Sequence, residues 1–189
     1  MITVAVIIGS LRKDSFNRKL ALALEKISAG KMKFNYINIG DLPLFNQDLE
    51  ASLPAPVARI KADIENADAV LFVTPEYNRS VPGVLKNAID WASRPYGKSS
   101  FAGKPAAICG TSPGAIGSAV AQGHLRSITS GFLDMPTMGQ PEVYLTWKDG
   151  MIGNDGSITD ENTKTFLQGF IDKFASWTDR HAQARKQAA

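Results

Sequence analysis

The chain has 189 residues, 44% hydrophobic and 21% charged, which is the length of one domain with enough apolar mass for a substantial core. Its net charge of +3 is too small to require nucleic acid or an anionic membrane as partner, and much of the basic excess falls on Arg180, Arg185 and Lys186 in an expected tail. One cysteine excludes an internal disulfide or a multi-cysteine metal site, and no apolar run approaches membrane-spanning length or the form of a signal peptide, so a cytoplasmic protein is expected.

The first stretch, Val4-Ala5-Val6-Ile7-Ile8, is short, apolar and rich in β-branched residues. It reads as a strand buried on both faces, as in parallel sheets. After the loop that follows it, Phe16, Leu20, Ala23, Leu24 and Ile27 recur at helical spacing. Lys33 to Ile39 reads as a second strand. A long proline-containing connection, Gly40 to Pro56, then leads to a helix marked by Val57, Ile60 and Ile64. A connection of that length points to function or an interface, or to a strap packed down by Leu42, Leu44 and Phe45.

Residues 67–73 form a third apolar run, and Thr74 to Gly83 a loop with a proline near each end. Pro82 opens a helix with Val84, Leu85, Ala88, Ile89 and Ala92 on one face and Trp91 and Arg94 near its end. Pro105 to Gly110 is a fourth strand, containing Cys109 as a small core residue. The loop Thr111 to Gly117 and a helix with Ala121, Leu125, Ile128 and Phe132 follow. Pro141 to Leu145 is a fifth strand. After a turn-rich segment, Thr159 reads as the N-cap of a last helix whose core stripe is Phe166, Phe170, Phe174 and Trp177. Residues 182–189 are expected to fray. His124 and His181 show no metal-ligand spacing and read as structural or solvated.

Five strand–helix alternations imply a parallel sheet with helices on both faces and right-handed crossovers. At this size the expected order is flavodoxin-like, 2-1-3-4-5, a three-layer αβα architecture in a single domain over 1–189. In that order the loops after strands 1, 3 and 4 meet at one crevice.

The first loop, Gly9-Ser10-Leu11-Arg12-Lys13-Asp14-Ser15, lies between a strand's carboxyl end and a helix's amino end, where unpaired N–H groups favour a phosphate. Gly9 allows the tight turn. Ser10, Ser15 and Asn17 can donate hydrogen bonds, and Arg12 charge-assisted ones. Gly-x-Gly-x-x-Gly and Walker A patterns are absent, so one terminal phosphate monoester suits the loop better than a pyrophosphate. The second loop, with Pro75, Glu76, Tyr77, Asn78 and Arg79, is a stiff surface suited to a flat heterocycle. The third, with Ser112, Pro113 and Gly114, lets backbone approach a ring closely.

Gly9-Ser10-Leu11-Arg12 with Ser15 and Asn17, then Thr74-Pro75-Glu76-Tyr77-Asn78, Ser80-Val81-Pro82-Gly83 and Leu85 to Trp91, resemble the NAD(P)H-dependent FMN reductase family, and bacterial soluble quinone and chromate reductases in particular. The resemblance implies FMN held without a covalent bond. Its phosphate would lie on Ser10, Arg12, Ser15 and Asn17. Its ring would rest on Pro75, Glu76, Tyr77 and Asn78, with Ser112 and Gly114 on the other side. No side chain need be catalytic, because the hydride chemistry resides on flavin N5. NADH or NADPH would donate and quinones, or chromate and other oxidised metal anions, would accept, in a ping-pong cycle. Arg79 and Arg94 are candidates to attract an anionic acceptor, or to make interface salt bridges. The resemblance also implies a homodimer or homotetramer, with the helix after Pro82 at the interface; Trp91 serves either that interface or the core. A flavodoxin-type electron carrier or a non-catalytic flavin-binding protein is the alternative.

Overall fold

The structure, a computed structural model, describes the backbone of residues 1–188 and the side chains of 1–182. The tail expected to fray, 182–189, continues the last helix in its backbone as far as Ala188, and its side chains beyond residue 182 lie outside the described residues. The elements run β1 (Ile2–Ile8), α1 (Phe16–Ile27), β2 (Met32–Tyr36), a short 3-10 turn (Gln47–Leu49), α2 (Ala55–Glu65), β3 (Ala69–Val73), α3 (Gly83–Ala92), β4 (Ala106–Ser112), α4 (Ala119–Gly131), β5 (Val143–Thr146) and α5 (Glu161–Ala188). All strand pairs are parallel and the order is β2-β1-β3-β4-β5, the flavodoxin-like order expected.

The near-continuous apolar strands have a simple cause. Alternate residues of β1 and β3 face opposite helical layers, and both layers are dry. Val4, Val6, Leu71 and Val73 pack with Leu20, Leu24, Leu167, Phe170 and Phe174 from α1 and α5. Ala5, Ile7, Val70 and Phe72 pack with Ile60, Ile64, Leu85, Trp91 and Leu125 from α2, α3 and α4. Each large side chain so buried contributes roughly 1.5–3 kcal/mol.

Ile8 pairs with Val73, and Val73 with Cys109. The carboxyl ends of β1 and β3 are therefore level, β4 runs on beside β5 to Ser112, and the three loops emerge at the same edge of the sheet. Among the described residues no helix is long and apolar enough to cross a membrane.

Several details of the elements differ from the sequence reading. β2 ends at Tyr36 rather than Ile39. Ile37 still donates its N–H to the Val6 carbonyl, but Asn38 Oδ1 then accepts from Gly40 N at 3.0 Å and turns the chain out of the sheet. The last helix is capped by Asp160, whose carboxylate accepts from Thr163 N; Thr159 instead donates its hydroxyl to Gly150 and Met151 carbonyls. In its stripe Phe166 is 42% exposed, and Leu167 and Ile171 are buried with Phe170 and Phe174.

The long connection after β2 is a strap packed on α3. Pro43 O accepts from Trp91 Nε1 at 2.8 Å and from Asn87 Nδ2 at 2.9 Å, and Asn87 Oδ1 accepts from Phe45 N. Phe45 meets the Trp91 ring edge-on at 5.0 Å. Trp91 is fully buried beneath the strap and so belongs to the core.

Candidate functional site

The first loop closes tightly against the second. A Cβ on Gly9 would meet Leu85, Thr74 Oγ1 and Pro75 Cδ at 3.1–3.3 Å, so glycine sets that spacing. Ser15 is the N-cap of α1, its Oγ accepting from Arg18 N at 3.3 Å. Ser10 Oγ accepts from Arg12 N at 3.4 Å. Both hydroxyls keep their own O–H to donate. The Arg12 guanidinium lies 4.6 Å over the Phe16 ring, and Phe16 stacks on Trp147 at 4.4 Å. Those two aromatics orient a cation that forms no ion pair among the described residues.

Asn17 is placed differently from the phosphate donor expected. Its amide donates to Thr111 O at 2.9 Å and accepts from Thr111 N at 3.0 Å, and the residue is buried. The side chain ties the first loop to the end of β4, with the second amide hydrogen left to donate at the slot that Asn17 lines.

The second loop is a tight hairpin. Tyr77 and Ser80 exchange backbone hydrogen bonds, and Asn78 and Arg79 sit at φ 50° and 60°. Asparagine tolerates that left-handed region, and arginine there marks a constrained turn. The Glu76 carboxylate is engaged within the chain. One oxygen accepts from Val120 N at 3.0 Å and Ala121 N at 3.2 Å, the other from Arg79 at 3.1 Å. It therefore caps the amino end of α4, where a negative charge is favoured. Ser80 Oγ lies 3.0 Å from His124 Nδ1 on the same helix, which gives His124 a structural role. Tyr77 remains half exposed.

The third loop continues β4. A Cβ on Gly110 would fall 2.0 Å from Thr74 O, so only glycine allows β3 and β4 to approach as they do. Gly114 N donates to Ser112 Oγ at 3.2 Å. Burial pushes the Cys109 thiol well above its usual range, which leaves no thiolate nucleophile beneath the site.

Between the loops is a concavity of about 130 Å³ lined by Ser10, Arg12, Ser15, Asn17, Pro75, Glu76, Tyr77, Ser112 and, beyond the residues expected, Phe16, Thr111 and Pro113. Phe16 was hidden by its place in a helical stripe. Thr111 and Pro113 were visible only as members of the loop. Asn78, Gly114, Arg79 and Arg94 do not line it. Arg79 is paired with Glu76. Arg94 Nε is 2.7 Å from Glu50 of the strap, with its guanidinium 5.8 Å from the Phe45 ring, an intrachain pair.

A parallel sheet of this order, with an anion-ready turn and a stiff planar rim at its switch point, defines a flavodoxin-like nucleotide-binding protein. The profile of the NADPH-dependent FMN reductases matches residues 2–148, and the chain belongs to that family. It is 51% identical over 174 residues to a 2-hydroxy-1,4-benzoquinone reductase of Burkholderia sp, covering 92% of this chain and 94% of that one. It is also 51% identical over 176 residues to a quinone reductase of Pseudomonas putida, covering 93% and 94%. A solved flavoenzyme NAD(P)H:(acceptor) oxidoreductase from Paracoccus denitrificans superposes with a TM-score of 0.92 at 52% identity, covering 96% of this chain and 99% of that one.

With the family come FMN as cofactor and a reduced nicotinamide nucleotide as donor. The lining suits FMN: Ser10 and Ser15 offer hydroxyl donors, the Arg12 guanidinium forms no ion pair among the described residues, and the one carboxylate in the lining, Glu76, is already bonded elsewhere.

Proposed function

We propose that the protein oxidises NAD(P)H and passes two electrons to quinones by way of FMN held in the three-loop slot. FMN, when bound, accepts hydride from the nicotinamide and returns two electrons to the acceptor. The convergence of Ser10, Arg12 and Ser15 with Pro75, Glu76 and Tyr77 around one slot carries this reading.

The residues divide the work. Ser10, Ser15 and Arg12 hold the phosphate with the first backbone N–H groups of α1. Pro75, Glu76 and Tyr77, with Ser112, support the ring, and Asn78 and Gly114 shape the turns beside them. Glu76 and Ser80 keep that support rigid through α4. Tyr77 is half exposed, so a ring held beside it would stay within reach of donor and acceptor in turn, which supports a ping-pong order. The relatives named as quinone reductases support quinones as acceptors. Chromate takes second place, because both cations expected to attract it, Arg79 and Arg94, are already paired within the chain. The chain acts as one flavin-binding domain in a homodimer or homotetramer, as its family resemblance implies.

The test is anaerobic. FMN-loaded protein mixed with NADH or NADPH loses its flavin absorbance, and a quinone then restores it. Persistence of the absorbance with both nucleotides rejects the reading.

A further inference from the structure

A larger concavity, of about 610 Å³, opens on the other side of the first loop. That volume lies within the roughly 300–1,000 Å³ of organic-ligand sites. It sits at the carboxyl ends of β1 and the edge strand β2, against the first turn of α1. Its floor is apolar, with Val6, Ile8, Leu11, Ile37 and Ile39; its rim carries Arg12, Lys13 and Arg18. No carboxylate lines it.

These cations are unpaired. None of the three forms an ion pair among the described residues; Arg18 lies over the Tyr36 ring at 5.9 Å. The acids on adjoining elements are engaged: Glu25 accepts from the Tyr36 hydroxyl at 2.8 Å, and Asp41 accepts from Arg59. Burial and that bond to Glu25 push the Tyr36 hydroxyl well above its usual range, so it adds no negative charge. Asn38 also lines the groove; its Oδ1 is taken by Gly40 N, leaving the NH₂ to donate. An apolar floor, an amide donor and a cluster of unpaired cations suit a base bearing phosphate, and the space exceeds what an inorganic anion needs.

Ser10 and Arg12 line both this groove and the flavin slot. The first loop is thus a shared wall, with FMN's phosphate on one side of it. Of the proposed reactants, only the nicotinamide dinucleotide carries both a ring to react at the flavin slot and a phosphate-bearing base at its other end. We propose that the groove takes the adenosine end of the dinucleotide, with Lys13 and Arg18 on the 2′-phosphate, so that the protein selects NADPH over NADH. This rests on the oxidoreductase reading above and adds the origin of its donor specificity. Arg12 is shared with the flavin and is therefore left intact in the test.

The test is calorimetric titration of FMN-loaded protein with adenosine 2′,5′-bisphosphate, adenosine 5′-monophosphate and inorganic phosphate. The bisphosphate binds at least about tenfold more tightly than the monophosphate, as charge-assisted bonds to an added phosphate require. The double variant Lys13→Ala/Arg18→Ala, both side chains being exposed, abolishes that difference. In turnover, the same variant lowers the ratio of kcat/KM for NADPH to that for NADH at least about tenfold. Equal binding of the two nucleotides, a preference that survives in the double variant, or equally tight binding of inorganic phosphate overturns the assignment. Protein bleached by NADH yet indifferent to the 2′-phosphate loses the groove assignment and keeps its reductase activity. Protein bleached by neither nucleotide loses the reductase reading, while the titration still decides what the groove binds.

Discussion

The loops after β1 and β3 stand side by side and are built on opposite plans. In the first, Arg12 and Lys13 have no acidic partner among the described residues, and Ser10 and Ser15 accept only long bonds, of 3.4 and 3.3 Å, while their hydroxyl hydrogens stay free. In the second, Thr74 Oγ1 donates to Pro75 O at 2.8 Å, Glu76 accepts three bonds, and Ser80 contacts His124. Charge left unpaired is charge available to an anion. A surface already tied down loses little freedom when a planar ring lies on it. The contrast therefore separates a loop that supplies binding energy from one that supplies preorganisation.

Removing the tie in the second loop has the largest expected effect. Glu76→Ala leaves two N–H groups at the start of α4 and the Arg79 guanidinium without their acceptor. The Glu76 side chain is only 8% exposed, so water replaces it poorly. The loss expected is about 2 kcal/mol, read as a lower denaturation midpoint of the FMN-free protein, with weaker FMN binding following from the loosened hairpin. A change under about 0.5 kcal/mol, the range of an ordinary surface substitution, would mean the hairpin holds itself.

Arg12→Ala tests the other half of the contrast. It removes an exposed cation whose one recorded contact is with the Phe16 ring, so FMN-free stability shifts by no more than about 0.5–1 kcal/mol. FMN affinity, measured by flavin fluorescence, falls at least about tenfold, as expected for a charge-assisted bond to phosphate. A stability loss matching that of the Glu76 variant would make Arg12 a structural residue and erase the distinction between the loops.

The sheet order was legible because buried parallel strands leave an unmistakable trace, short apolar runs such as Ala69–Val73 separated by helical stripes. The loop positions were legible for the same reason: strand ends locate them. The roles of Asn17 and Glu76 were not. Each reads locally as a polar residue facing a ligand, yet Asn17 bonds Thr111 at a separation of 94 residues and Glu76 bonds Val120 at 44. No local pattern encodes such pairs; folding the sheet creates them. Arg94 was equally opaque, since Glu50 lies in a strap without periodicity. The groove beside β2 went unread because β2 was carried on to Ile39, which placed Asn38 inside a strand rather than at the lip of a cavity.

The groove extends the contrast between paired and unpaired groups beyond the two loops, and Asp41 gives it a pH dependence. Arg59 donates to both Asp41 oxygens at 2.8 Å and to the Asn38 carbonyl at 2.8 Å, fixing the chain where it leaves the groove. The hydrogen bonds from Arg59, with its charge, hold the Asp41 carboxyl below its usual value. Because the folded value is the lower one, the pair's contribution is present above the unfolded carboxylate value of about 3.9 and is lost as pH falls through the folded one. Asp155, Asp160 and Asp172 are displaced in the same direction, so the parent protein loses stability steadily below about pH 4. Asp41→Asn removes one such carboxylate, and its acid-side slope is correspondingly shallower. Asp41 is exposed, so this effect is the smallest of the three, visible as a difference between urea midpoints at about pH 5 and pH 3. Identical slopes for parent and variant would show that the Arg59 fork is solvated away in solution, and that the strap is held instead by its contacts with Asn87 and Trp91 and by the Arg94–Glu50 pair.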